Sequence, residues 1–198
     1  AARPQPPPPP PPPPPERVVS ADEQRLHASR ELNTAAGYGD VEGVKRWLAE
    51  GGDTEWVNRD HWTALATSCE HENAGNHEEV VRLLLNAKAN VDYVDERGRT
   101  PLFFAALHGR ANTVKALIAA GAKIVNTADG HGVSALNHAT RNNHVDVVKE
   151  LLAAGADAHQ PDAFGGTAHR HAATMTEPHE AEVRRLHGHG TAKAPGEL

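Results

Sequence analysis

The chain has 198 residues, a formal net charge of -6, a pI near 6.2 and only 4% aromatic residues. That length suits one ordinary domain, the aromatic content leaves no large aromatic core, and the negative charge argues against nucleic acid or an anionic membrane as a main partner. No run approaches the ~18 consecutive apolar residues that a membrane-spanning helix requires.

In chain order, residues 1–20 form a proline-rich arm with Pro4 and the unbroken run Pro6–Pro15. Proline fixes φ and lacks an N–H, so this low-complexity arm is expected to be a solvated polyproline II rod, disordered relative to any core. Arg3-x-x-Pro6-x-x-Pro9 and Pro12-x-x-Pro15-x-Arg17 fit the charged patterns read by SH3, WW or profilin-type domains. A bland spacer fits the same composition. The chain begins at Ala1 rather than Met, as expected of a processed chain or a fragment, and a proline run replaces the apolar segment a secretory signal needs.

Residues 22–54 read as a first, capping helix pair. Leu26, Leu32, Ala35 and Ala36 fall in its first helix, and Val41, Val44, Trp47 and Leu48 on the inner face of its second. Polar Asp22, Glu23, Gln24 and Arg25 suit a solvent-facing end. Residues 55–90 form a second pair, with an aromatic turn from Trp56 to Trp62 and an inter-helix segment, His71 to Glu79, about three residues longer than in the next unit. His71 and His77 do not have the H-E-x-x-H spacing that puts two imidazoles one helical turn apart, so a metal site there is rejected. The single Cys69 excludes an internal disulfide, fits a reducing compartment, and by its place on a first helix is expected to be a buried, inert thiol.

Residues 91–124 contain the most regular unit, RTPLFFAALHGRANTVKALIAAGA from Arg99 to Ala122. Thr100 is a good N-cap, and Pro101 gives up a donor that would be unsatisfied at the first helical position anyway. His108-Gly109 breaks the chain, Val114, Leu117 and Ile118 line one face of the second helix, and Gly121 stops it. Residues 125–157 repeat this from Leu136 to Gly155, and Asp95 and Asp129 take a turn position where a carboxylate closes bonds to backbone N–H groups. Residues 158–190 form a degenerate closing unit, with its second helix reduced to about 180–186. His169, His171, His179, His187 and His189 gather there, but His169 and His171 point about 200° apart on a helix, so a polar end cap is expected rather than zinc. Residues 191–198 are expected to fray.

The cap positions Thr63, Thr100, Ser134 and Thr167 recur at steps of 37, 34 and 33. With a TPLHxAA-like opening, this period resembles the ankyrin repeat, a β-turn followed by two antiparallel helices. The matching positions are Gly98, Thr100, Pro101, Leu102, Ala105 and Ala106, then Val114, Leu117, Gly121 and Ala122. The fourth residue of the opening is Ala66, Phe103, Asn137 and Arg170, so the family's usual histidine, and the bond it makes, is missing throughout. The resemblance implies an all-α solenoid of about five repeats over residues 21–190, the first and last degenerate.

The resemblance further implies a module that binds another protein on a concave surface of fingers and first helices. It is expected to be non-catalytic, cofactor-free and monomeric, and the single thiol and missing signals point to an intracellular (cytoplasmic or nuclear) chain. Aromatic and arginine anchors usually carry such interfaces, and this surface offers Arg59, Trp62, Tyr93, Arg97, Arg99, His108, His131, Arg141, Asn142 and Phe164. Phe103 and Phe104 are expected to pack between repeats instead. Asn126 occupies the position that asparagine hydroxylases modify in similar repeats. No nucleophile elbow, phosphate loop or metal set speaks for an enzyme, and the rival is an architectural or regulatory subunit, or a module of a larger protein, tethered through Pro6–Pro15.

Overall fold

The computed structural model describes residues 20–71, 75–123, 128–174 and 185. The proline run, part of the His71–Glu79 insertion, Asn126, the helix expected over 180–186, His179, His187, His189 and the tail lie outside them. The described residues hold nine helices: α1 (Ala21–Tyr38), α2 (Val41–Ala49), α3 (Ala64–Glu70), α4 (His77–Asn86), α5 (Pro101–Leu107), α6 (Ala111–Ala119), α7 (Ala135–Arg141), α8 (Val145–Ala153) and α9 (Ala168–Thr174).

Each first helix opens on a hydroxyl cap. Thr63, Thr100, Ser134 and Thr167 accept from the backbone N–H groups of Ala66, Phe103, Asn137 and Arg170 at 3.4, 3.2, 3.2 and 3.0 Å. Helix α1 opens differently. Ser20 and Glu23 form a reciprocal capping box, with Glu23 N–H donating to Ser20 Oγ at 3.2 Å and Ser20 N–H to Glu23 Oε2 at 3.0 Å. It runs 18 residues, against 7 in α3. The shorter neighbour covers only its later turns, which is why Leu26 is 47% exposed while burial runs from Ala28 to Gly37.

The second helices change their caps along the chain. Asp40 and Asn76 cap their own helices, accepting from Gly43 and Glu79 N–H groups at 3.0 and 3.3 Å. At the same position Arg110 and His144 make no side-chain cap. They reach back to the preceding repeat: Arg110 donates to the carbonyls of Ser68 and His71, and His144 Nε2 lies 3.0 Å from Leu107 O. Gly109, at φ +71, makes room for this, since a Cβ there would stand 2.5 Å from the His144 ring.

The helices pack in two rows. Helices α1, α3, α5, α7 and α9 contact one another in order, as do α2, α4, α6 and α8. One continuous apolar cluster runs between the rows, with Leu32, Leu65, Leu102 and Leu136 from the first and Val44, Leu84, Leu117 and Leu151 from the second. Each such side chain contributes about 1.5–3 kcal/mol when fully buried, and only the adjoining repeat makes that burial complete. Ala105 and Ala106 are wholly buried, small enough to let neighbouring first helices approach.

Phe103 and Phe104 lie in this interior, packed between repeats as expected, with Phe103 edge-on to His138 at 4.8 Å and Phe104 edge-on to Trp62 at 5.2 Å. The missing opening histidine leaves a mark. Asn137 is wholly buried, and neither atom of its amide has a hydrogen-bond partner.

Candidate functional site

Between consecutive helix pairs the chain makes a finger, numbered by the helix pair that follows it, and four of them, the second to the fifth, share one frame. At their bases stand Asn58, Asp95, Asp129 and Asp162. In each, the side-chain oxygen accepts from the backbone N–H groups two and four residues on, at 2.7 to 3.0 Å. A short Asx or acidic side chain thereby closes the turn by mimicking a backbone acceptor. The position before the last N–H lies in the left-handed region in all four: His61, Gly98, Gly132 and Gly165 at φ 58, 77, 72 and 72. Successive fingers are also laced by backbone, Gly130 N–H donating to Arg97 O at 2.7 Å and Ala163 N–H to His131 O at 3.0 Å.

The third finger is the most heavily tied. Asp95 Oδ2 accepts from Arg99 Nε at 2.8 Å and from the Trp62 indole N–H at 3.1 Å, while the Arg99 guanidinium lies over the Phe104 ring at 4.7 Å. Burial alone would raise the Asp95 carboxyl's pKa, but the bonds from Arg99, Arg97 and Trp62 outweigh it and hold the group below the usual carboxylate range. The fourth finger instead sets Asp129 3.6 Å from His138 Nε2. Burial pushes the His138 imidazole below its ordinary value, against the opposing pull of Asp129. Burial likewise drives the Cys69 thiol up to about 12, so it is inert at neutral pH.

The structure divides the residues expected to meet a partner. Arg59, Arg97, His131, Arg141 and Phe164 are exposed, with Phe164 at 81%. Trp62, Arg99 and Tyr93 are half-buried and engaged within the stack, and Asn142, though exposed, is engaged as well. Trp62 and Arg99 serve Asp95, the Tyr93 hydroxyl donates to His61 O at 2.8 Å, and Asn142 Nδ2 donates to Leu107 O at 3.0 Å. His108 stands apart from the fingers, lining a recess of about 690 Å³ with the starts of α4 and α6.

A second hollow was not foreseen. A groove of about 730 Å³ runs between α1, the second finger and α3, with Arg30, Thr34 and Tyr38 on one wall and Trp56 and Arg59 on the other. The spacing of Arg30, Thr34 and Tyr38 (i, i+4, i+8) was the signal available in sequence, since it places them on one helix face. Among the described residues no group of three or more His, Cys, Asp or Glu could hold a metal ion, and no helix is long and apolar enough to cross a membrane.

Comparison with known proteins agrees with the geometry. A family model described as ankyrin repeats matches in 3 copies, over residues 32–128 and 75–162, together more than half of the chain. Such repeats are typically non-catalytic. Over 87 residues the chain is 34% identical to "Putative E3 ubiquitin-protein ligase XBAT35" of Arabidopsis thaliana, covering 43% of this chain and 18% of that protein. Over 109 residues it is 33% identical to "Serine/threonine-protein kinase 12" of the same plant, covering 54% of this chain and 23% of that protein. The matches thus span about a fifth of each relative's length.

Proposed function

The chain belongs to the ankyrin-repeat family, whose repeats are generally protein-interaction modules, and we propose that it binds a partner protein on the face formed by its fingers and first helices. The supporting observation is that fixed fingers carry free side chains. Arg59, Arg97, His131 and Phe164 are exposed at tips whose backbones are closed by an Asx or Asp side chain. A scaffold already ordered loses little entropy on binding, so contact energy is retained as affinity. Arg141 belongs to the same surface. Trp62, Tyr93, Arg99, Asn142 and His108 are placed behind or beside it, Trp62 and Arg99 as buttresses of the third finger. On this reading the chain is a monomeric intracellular module that needs no cofactor.

The test is affinity capture from the source cell with a triple variant, Arg97→Glu, His131→Ala and Phe164→Ala. None of these three side chains supports the fold, so its melting temperature is expected to match the wild type while capture of the specific partner is lost. Undiminished capture would overturn the assignment.

The sequence run Pro6–Pro15 favours a second reading, an architectural or regulatory subunit tethered through its arm to an SH3, WW or profilin-type domain. Deleting residues 1–19 then removes all partners, whereas on the first reading they are retained. Hydroxylation of Asn126 is a third element of the proposal. Mass spectrometry of the chain from its native source is expected to show a 16 Da addition there, and an unmodified Asn126 would refute it.

A further inference from the structure

The groove beside α1 gathers several unspent donors over one floor. Its floor is saturated: Asn33 Nδ2 donates to Trp62 O at 2.9 Å, and Asn33 Oδ1 accepts from Thr67 Oγ1 at 3.1 Å and Asn58 Nδ2 at 3.3 Å. Gly37 keeps that floor low, because a Cβ there would come within 3.1 Å of Thr67 Cγ2. The walls are the opposite. Arg25, Arg46, Arg82 and Arg99 each have a carboxylate partner, but Arg30 and Arg59 have none among the described residues. Neither the Trp56 indole N–H nor the Tyr38 hydroxyl has one either, and Tyr38 is 67% exposed.

Among the described residues that line the groove Asp60 is the one acid, so two guanidiniums dominate this hollow in a molecule whose overall charge is -6. Guanidinium forks match carboxylates, and aromatic walls take an apolar side chain without large loss of rotamer freedom. The chain's own arm is the wrong sign for this hollow, since it carries Arg3 and Arg17 against Glu16.

We propose that this groove binds an acidic, extended peptide segment of a partner protein, with its carboxylates on Arg30 and Arg59 and an apolar side chain between Tyr38 and Trp56. The proposal rests on the interaction reading above and narrows it to a place and a partner chemistry.

Fluorescence anisotropy with a short fluorescein-labelled peptide alternating glutamate and leucine tests it, with glutamine–leucine and lysine–leucine peptides as controls. The glutamate peptide is expected to bind, and to weaken as salt screens the pairing. Arg30→Glu with Arg59→Glu is expected to weaken it about tenfold or more, while Lys115→Glu, on α6 away from the groove, leaves it unchanged. Thr34→Trp fills the groove and is expected to abolish binding without altering charge. Equal binding of the glutamine peptide, undiminished binding by the double reversal, or tighter binding after deletion of residues 1–19 (the arm being the true occupant) would each overturn the proposal. If the glutamate peptide fails to bind while the fingertip triple variant still loses capture, the groove falls and the wider reading stands. Peptide binding sensitive to Arg30 and Arg59, with fingertip capture undiminished, supports the groove and confines recognition to it.

Discussion

The second finger, Asn58 to Trp62, and the third, Asp95 to Arg99, are two answers to one geometric demand. Both close on a side-chain oxygen that accepts from the backbone N–H groups two and four residues on. Only the remaining atom differs. Asp95 turns a second anionic oxygen toward Arg99 and Trp62, joining the third finger to the second. Asn58 turns an amide toward Asn33 and Thr67, joining its finger to α1 and α3. The backbone asks only for an oxygen, and the other atom chooses which neighbour the finger holds. Where that atom is neutral no arginine is drawn in, and Arg59 stays free.

Asp95→Ala should separate the two most sharply. It strands Arg99 beside buried groups and leaves backbone N–H groups unpaired, so a loss of about 3 kcal/mol is expected. For a chain this size that lowers the melting temperature by roughly 6–12 °C. Asn58→Ala removes neutral bonds only and should cost about 1–2 kcal/mol; equal losses at both sites would break the comparison.

A smaller effect has the opposite sign. His61 sits at φ 58 where the other fingers have glycine, and a side chain in the left-handed region carries strain. His61→Gly is expected to stabilise by about 0.5–1 kcal/mol, read from urea midpoints. Acid supplies the finest discrimination. The folded pKa of Asp95 is depressed, so its contribution is complete above the unfolded value of about 3.9 and fades as pH falls through the folded one. The gap in urea midpoint between wild type and Asp95→Asn should therefore narrow below about pH 4. A constant gap would mean that charge plays no part in the third finger.

Much of the fold was legible because it is written locally. Thr63, Thr100, Ser134 and Thr167 announced four helix starts, and all four hydroxyls cap. The Ser20–Glu23 box is just as local, but Ser20 does not fall on the repeating step of the other caps, so only the polar character of that end was read. The surface was less legible. Nothing near Trp62 or Arg99 in sequence says that they meet on Asp95, since Trp62 lies a whole repeat away from it. The groove needed α1 and the second finger to be brought face to face, a relation set by tertiary packing. Exposure was easier to foresee at Arg97, His131 and Phe164, since the middle of a closed turn has nowhere to go but outward.

Cys69 sits on α3 with its sulfur fully enclosed and its thiol's pKa near 12. At neutral pH it offers almost no thiolate to an alkylating reagent. A cysteine introduced in place of Val94, exposed at 52% and used by neither proposed site, would therefore be the sole position to take up a maleimide dye, and the native thiol need not be removed. Docking could then be watched optically on the otherwise unaltered chain.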